Sequence, residues 1–167
     1  MVAGHSGSHA SPAARRTFWH ILIGVSLYWL STALVVFPWI LSKPLGIAAM
    51  LLSTALWAYM AFYALQHAPK GQWTRDAVSM ALSFLITGVV QDYLLFALYR
   101  GVPDELYEPT TLLAYALSFV LPIAVRYLVP ERYGSRTVLP VTNGKLWATV
   151  IVGVPSFLVT VWSMRFW

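Results

Sequence analysis

Five stretches of about twenty mostly apolar residues divide this chain, and their length constrains the fold more than any other feature. An α-helix rises about 1.5 Å per residue, so about 20 residues cross the ~30 Å hydrocarbon core of a bilayer. Charged residues make up only 10% of the chain, whereas about 25% is typical of soluble globular proteins. We therefore predict an all-α fold, a polytopic membrane bundle of five transmembrane helices. Four helices and one interfacial segment are the alternative.

Polar and proline-containing segments between the apolar stretches set the predicted boundaries. Residues 1–16 are predicted to form a flexible polar N-terminal tail, and residues 17–167 a single transmembrane helical domain. The spans are predicted at about 18–41, 45–66, 77–99, 110–129 and 146–167. The loop over residues 130–145 contains Pro, Gly and Asn, which argue against a helix through it.

The distribution of basic residues predicts the orientation in the membrane. With the N-terminus in the cytoplasm, the inner segments contain Arg15, Arg16, Lys70, Arg75, Arg132, Arg136 and Lys145. The outer segments then contain only Lys43, Arg100 and Arg165. The positive-inside rule predicts a cytoplasmic N-terminus and an external C-terminus. We expect a multi-pass protein of a cell membrane, with the bacterial inner membrane as the preferred setting and the lipid bilayer as its main partner.

Several kinds of chemistry are disfavoured by what the sequence lacks. The net charge is +5, but the basic residues are scattered at the ends of apolar stretches, so we expect no nucleic acid partner. The absence of cysteine excludes disulfides, thiolate metal sites and thiol catalysis. Nucleotide-binding, metalloprotease and serine-hydrolase motifs are also absent. We expect neither a metal site nor a resident cofactor.

An acidic residue inside the third apolar stretch is the strongest indication of a functional site. This stretch has no basic residue and contains the adjacent pair Gln91 and Asp92. An acidic side chain within a spanning helix costs about 2.5–3.5 kcal/mol on insertion scales, and it usually faces a partner, a cavity or a conduction path. We expect Asp92 to lie in the outer half of the membrane and to accept or donate a proton.

Counting residues from the predicted span ends places the polar side chains in two layers. The outer layer surrounds Asp92, and its predicted ligand-binding residues are Gln91, Tyr93, Ser31, Ser53, Tyr115, Ser118 and Thr160. The inner layer, near the cytoplasmic face, consists of His20, Tyr63, His67 and Arg126. A haem held between His20 and His67 is conceivable but not expected, because interfacial histidines are usually only solvated.

Small and hydroxylated residues recur at steps of three and four in several spans, which places them on one helix face. In span five the pattern consists of Thr149, Gly153, Ser156, Thr160 and Ser163, and in span one of His20, Gly24, Tyr28 and Ser31. Such residues let helices approach closely and bond across the interface, so we interpret these faces as packing surfaces.

Three function classes remain open. We expect foremost a protein that binds or transports a small solute, a cation or a proton at the Asp92 layer. The alternatives are a membrane-embedded enzyme that uses Asp92 as acid or base on a lipid or isoprenoid, and a non-catalytic accessory subunit. A bundle this small also suggests a homo-oligomer or a larger membrane complex. A cavity that reaches Asp92 from the outer side would favour transport, and a pocket open sideways to lipid would favour an enzyme. A filled interior would favour the accessory role.

Overall fold

A computed structural model describes residues 11–69, 71–130 and 140–163. These residues form helices and no strands, as the sequence predicted. The α-helices are α1 (Pro12–Leu41), α2 (Lys43–Leu65), α3 (Trp73–Asp92), α4 (Pro109–Leu128) and α5 (Asn143–Ser163). A π-helix, Tyr93–Tyr99, continues α3, and a 3-10 helix, Pro103–Tyr107, lies in the loop before α4.

Five helical segments in the described part of the chain are long and apolar enough to cross a membrane. One of them is α3 together with its π-helical continuation, a segment of 27 residues from Trp73 to Tyr99. This confirms the prediction of five spanning helices over the four-helix alternative. The chain therefore has the architecture of a multi-pass membrane protein.

The first helix begins earlier than predicted. Ser11 caps it, because its hydroxyl oxygen accepts a hydrogen bond from the Ala14 amide at 3.2 Å, and Pro12 occupies the first turn. Residues 12–16 are thus helical, and the predicted boundary at residue 17 is too late. Residues 1–10 of the predicted tail, residues 131–139 of the predicted loop and residues 164–167 of the fifth span lie outside the described residues.

The central element of the bundle is α1, which packs against α2, α3 and α5. On one side of α1, α4 packs on α3 and α2, so that these four helices surround a common interior. On the other side, α5 packs mainly on α1. A single residue, Ser42, separates α1 from α2; its hydroxyl caps α2 and its amide donates to the carbonyl of Pro38. The short connection makes α1 and α2 antiparallel neighbours.

The polar stripe of span five lies against α1. Trp19 Nε1 donates to Thr149 Oγ1 at 3.3 Å, and Ser26 Oγ donates to the Thr149 carbonyl at 2.8 Å. One turn further along, a side chain at Gly153 would collide with Ser26. The hydroxyl of Thr160 then donates to the carbonyl of Trp29 at 3.3 Å. In the structure this face is a packing surface, as interpreted from the sequence.

Dense apolar packing is concentrated at the end of the bundle where α1 begins. Its largest fully buried side chains are Trp19, Ile23, Leu65, Met80 and Phe84. These residues come from α1, α2 and α3, the helices that meet there. The opposite half of the four-helix interior contains a cavity instead, which is the structural basis for the site described next.

Candidate ligand-binding site

A cavity of about 360 Å³ lies between α1, α2 and α4, and Asp92 at the end of α3 contributes to its lining. Val36, Met50 and Thr110 line its outer part, and Thr110 lies in the first turn of α4. Trp57 lines its inner end, about 10 Å from Met50 along α2 at the helical rise. The cavity thus runs parallel to the helices, and its volume is typical of small-molecule sites.

The cavity wall combines apolar side chains with hydroxyl groups. Its apolar and aromatic members are Val35, Val36, Met50, Trp57, Phe96, Leu113, Ala114, Leu117 and Leu121. Its polar members are Tyr28, Ser31, Thr32, Ser53, Thr54, Asp92, Thr110, Thr111 and Ser118. Several hydroxyls donate to carbonyls of their own helix, such as Thr32 to Tyr28 and Thr54 to Met50. These hydroxyls are therefore largely satisfied, and the wall presents mostly apolar surface to a ligand.

Among the described residues, Asp92 is the only one with an acidic or basic side chain that lines the cavity. Its side chain receives a hydrogen bond from the Tyr28 hydroxyl of α1 to Oδ1. Tyr115 of α4 also interacts electrostatically with the carboxylate, although its buried hydroxyl completes no hydrogen bond. No basic side chain of the described residues lines the cavity, so the carboxyl group has a hydrogen bond from Tyr28 but no counter-charge there.

The backbone changes from α- to π-helical directly after Asp92. The amide of Tyr93 is shared between the carbonyls of Val89 and Val90, and the helix continues in the wider π form to Tyr99. Phe96, one turn beyond Asp92, lines the same cavity. Wide turns of this kind occur often at functional sites. The sequence pattern gave no indication of this change.

Trp57 lines the cavity at its inner end, near Phe84, which precedes Asp92 by about 12 Å along α3 at the helical rise. Its Nε1 donates to Ser31 Oγ at 2.7 Å, and its ring packs edge-on against Phe84 with centroids 4.9 Å apart. The indole is thus held from α1 and α3, and one part of it remains on the cavity wall.

The structure brings together some of the predicted outer-layer residues and separates others. Ser31, Ser53 and Ser118 line the Asp92 cavity, and Tyr115 lies beside the carboxylate. Gln91, Tyr93 and Thr160 do not line it.

Helical geometry explains the residues that lie elsewhere. Successive residues of a helix point about 100° apart, so the immediate neighbours of Asp92 face other directions. Gln91 is buried and donates to the Thr87 carbonyl at 3.0 Å, and its Oε1 has no partner. Tyr93 is 51% exposed on the outer surface. Thr160 has a suitable depth, but α5 lies across α1 from the cavity. Depth along a span does not specify lateral position.

Sequence analysis missed Tyr28 as a partner of the acid. It was assigned only to the packing surface of span one. The available signal was its position three residues before Ser31, which places both on the same face of the helix. The structure uses this face both for packing and for the cavity.

The predicted inner-layer residues lie at the opposite end of the bundle from Asp92. The ring of Trp19 packs against that of His67, with centroids 4.9 Å apart, and Tyr63 packs on His67 at 5.0 Å. His20 is 2% exposed, and its Nδ1 has no hydrogen-bond partner. Arg126 Nε donates to Thr74 Oγ1 at 3.1 Å, which ties α4 to the start of α3.

Both ring nitrogens of His67 are engaged. Nδ1 lies 2.9 Å from the Tyr63 carbonyl and must donate to it, because a carbonyl only accepts. Nε2 is then the acceptor, and it faces the ammonium group of Lys145. Burial and the nearby Lys145 cation lower the pKa of His67, against the opposing effect of the Tyr63 carbonyl. As placed here, the imidazole is neutral and offers no ring nitrogen to a haem iron.

An ion pair between α1 and α3 was also missed. Arg16 Nε lies 3.0 Å from Asp76 Oδ2, and both side chains are largely buried. In the sequence analysis, Arg16 served only to predict the orientation of the chain in the membrane. Asp76 lay in the polar segment before the span predicted at 77–99. The earlier starts of α1 and α3 bring the two residues into the bundle.

Among the described residues, no three His, Asp or Glu side chains come together in a way that could hold a metal ion. Comparisons with protein-family models, with curated proteins and with solved structures found no match for this chain.

Proposed function

We propose that this membrane protein binds a small organic cation with an apolar body, for transport, in the cavity that Asp92 lines. The observation that carries the proposal is a carboxyl group, without a counter-charge among the described residues, on the wall of a mostly apolar cavity. A ligand that combines positive charge with apolar surface complements both features. An anionic ligand would be repelled, and an uncharged one would leave the costly buried acid without a role.

The lining favours an organic cation over a metal ion. Hard cations such as Ca²⁺ require six to eight oxygen ligands. In the described part of the chain, Asp92 is the only carboxyl group that lines the cavity, and hydroxyls such as those of Thr32 and Thr54 are bonded to their own helices. Trp57 and Phe96 add aromatic surface to the wall. Aromatic faces attract organic cations, and the attraction is stronger where water is excluded.

The position of the cavity supports uptake from one face of the membrane. The lining includes Thr110 at the start of α4 and, deeper in the bundle, Asp92, and the charge distribution predicts that the start of α4 faces outward. Asp92 also carries the proton-binding role expected from the sequence, since a carboxylate holds either a proton or an organic cation. Proton and ligand would therefore compete for one group, which is the requirement for exchange.

The other two function classes receive less support. A lipid-modifying enzyme that uses a hydroxyl nucleophile would need a base to activate it. The described cavity lining contains no histidine or lysine, and the hydroxyls of Thr32, Thr54 and Ser118 donate to carbonyls of their own helices. An accessory subunit would need no cavity, and its polar groups would face outward.

Equilibrium binding of benzyltrimethylammonium to the purified protein in lipid nanodiscs tests the proposal. Neopentylbenzene, which has the same shape without the charge, is the competing ligand. We expect saturable binding of the cation and poor competition by the neutral compound. Removing one member of a desolvated charge pair costs about 2 kcal/mol or more, so Asp92→Asn should weaken binding by about thirtyfold.

Asp104→Asn is the matched control, because it makes the same chemical change in an exposed loop. It should leave the affinity unchanged. Equal binding of the cation to wild type and Asp92→Asn, or equal affinity for the charged and neutral compounds, would refute the proposal.

A further inference from the structure

A second cavity, of about 330 Å³, lies on the other side of α1 between α2 and α5. It shares no lining residue with the Asp92 cavity. Residues of α1, α2 and α5 form its walls. Because α5 packs mainly on α1, a groove remains between α5 and α2. The proposed cation site makes no use of this cavity.

The second cavity is polar at one end and apolar at the other. Lys145, Tyr63 and Thr149 line it near the start of α5, where the Trp19 indole also lies. Further along the helices the wall is aliphatic, formed by Leu27, Leu30, Leu56, Met60 and Val152. The charged end coincides with a helix end, and the aliphatic part lies toward the middle of the bundle.

The length of the cavity matches one leaflet of a bilayer. From Trp19 to Leu30 the helical rise gives about 16 Å, and from Lys145 to Val152 about 10 Å. Half of a ~30 Å hydrocarbon core is about 15 Å. An acyl chain that lies along this groove would therefore have its headgroup at the level of Lys145.

Two basic side chains lie at the charged end. The ammonium group of Lys145 contacts the His67 imidazole and donates to the Pro140 carbonyl at 3.4 Å, and both partners are neutral. Arg15 bonds to the uncharged side chain of Asn143, two residues from Lys145. Within the described residues, neither cation has a carboxylate at salt-bridge distance. The site thus offers positive charge above an aliphatic groove.

We propose that this second cavity is a binding site for an anionic phospholipid, with one acyl chain in the groove and the phosphate at Lys145 and Arg15. Basic residues between transmembrane helices at a membrane surface are a recurrent recognition element for such lipids. His67 is a positioning residue, because its Nε2 accepts from Lys145 and holds the ammonium group at the polar end. A zwitterionic lipid has no net charge to match the two cations.

Native mass spectrometry of the detergent-purified full chain tests this site, with phosphatidylglycerol and phosphatidylcholine of identical acyl chains. We expect preferential retention of one phosphatidylglycerol molecule. One basic residue near a membrane surface contributes about a fivefold preference, so Lys145→Gln should reduce the preference by roughly that factor. Lys43→Gln, which makes the same change at the start of α2, should leave it unaltered.

A second variant covers the case in which Lys145→Gln fails to fold. Ala148 lines the groove on an exposed part of α5, so Ala148→Phe should fill the groove and abolish retention of the lipid. Val154→Phe, also exposed on α5 but outside the groove, is its control. Equal retention of both lipids by wild type, or an unchanged preference in Ala148→Phe, would overturn the proposal. Displacement of the lipid by an equal concentration of glycerol phosphate would also overturn it, since that result indicates a site for a free anion.

Discussion

Asp92 is 8% exposed and lines a cavity, the setting expected for an acidic side chain within a spanning helix. Tyr28 donates to one carboxylate oxygen, and Tyr115 lies near the group from another helix. These phenols provide hydrogen-bonding capacity without positive charge. The negative charge is therefore stabilised but not neutralised, and a cationic ligand could complete the site.

His67 provides a pH-dependent contact at the other end of the molecule. Burial and Lys145 lower its pKa in the folded protein, whereas an unfolded chain has a value near 6.5. The hydrogen bond to the Tyr63 backbone carbonyl opposes the lowering of the pKa. Lys145 on α5 and His20 on α1 are the titratable groups that face the His67 ring from these two helices. Below pH ~6.5 the unfolded state binds more protons, so the free energy of unfolding should decrease as the pH falls.

Thermal unfolding between pH 5 and pH 8 tests this expectation, as a comparison of wild type with His67→Gln. The wild type should lose stability as the pH falls below about 6.5, and the variant should show a smaller slope. An identical slope in both proteins would show that His67 does not contribute. In the folded protein the lowered pKa of His67 places protonation at a lower pH than in the unfolded chain, and protonation there removes the acceptor at Nε2 that faces Lys145.

At the level of elements, α5 depends on one close approach to α1. A Cβ atom at Gly153 would collide with Oγ of Ser26, and it would also lie 3.2 Å from the Ser26 Cα. The backbone itself is in the way, so α5 would have to shift. Overpacking of this kind typically costs about 1–3 kcal/mol.

Gly153→Ala should therefore lower the free energy of unfolding by about 1–3 kcal/mol, measured by thermal or denaturant unfolding in detergent. Gly144→Ala is the matched control, because the nearest atom to its added Cβ is 3.8 Å away. That change should be neutral or slightly stabilising, since alanine favours helix by about 1 kcal/mol over glycine. Equal effects of the two changes would contradict the close α1–α5 contact.

The positions of the helices were predictable, because the length of each apolar stretch is enough to identify a spanning helix. The predicted and observed ends of α2 and α4 agree closely, at residues 45–66 against Lys43–Leu65 and 110–129 against Pro109–Leu128. The π-helix after Asp92 was not predictable, since Tyr93–Tyr99 has the same apolar composition as the α-helix before it. For the same reason, the sequence did not show that Phe96 lines the cavity.

At the level of the whole molecule, the two halves of the bundle differ in packing. Aromatic and aliphatic side chains fill the interior around Trp19, Phe84 and Leu65, and the cation cavity lies in the other half. The depth of Asp92, Ser31 and Ser118 could be counted from the sequence. The sequence did not predict which helices pack around these residues. Periodicity shows which residues share one face of a helix, but it does not show which other helix that face contacts. Orientation in the membrane stays a prediction from the distribution of basic residues.

The two proposed sites lie on opposite sides of α1 and have opposite charge. The Asp92 cavity contains an acidic side chain and lies in the half of the bundle predicted to face outward, whereas the second cavity contains Lys145 near the ends predicted to face the cytoplasm. Because the sites share no lining residue, a variant that empties one should leave the other functional. The lipid proposal and the cation proposal can thus fail independently.

The central claim is that an organic cation occupies the cavity at Asp92, and anomalous diffraction from crystals with 4-bromobenzyltrimethylammonium tests it most directly. We predict a bromine peak inside the cavity between α2 and α4, with the quaternary nitrogen within about 6 Å of the Asp92 carboxylate. The peak should be absent from crystals of Asp92→Asn. A peak only on the lipid-facing surface or in the second cavity, or one that persists in Asp92→Asn, would contradict the account.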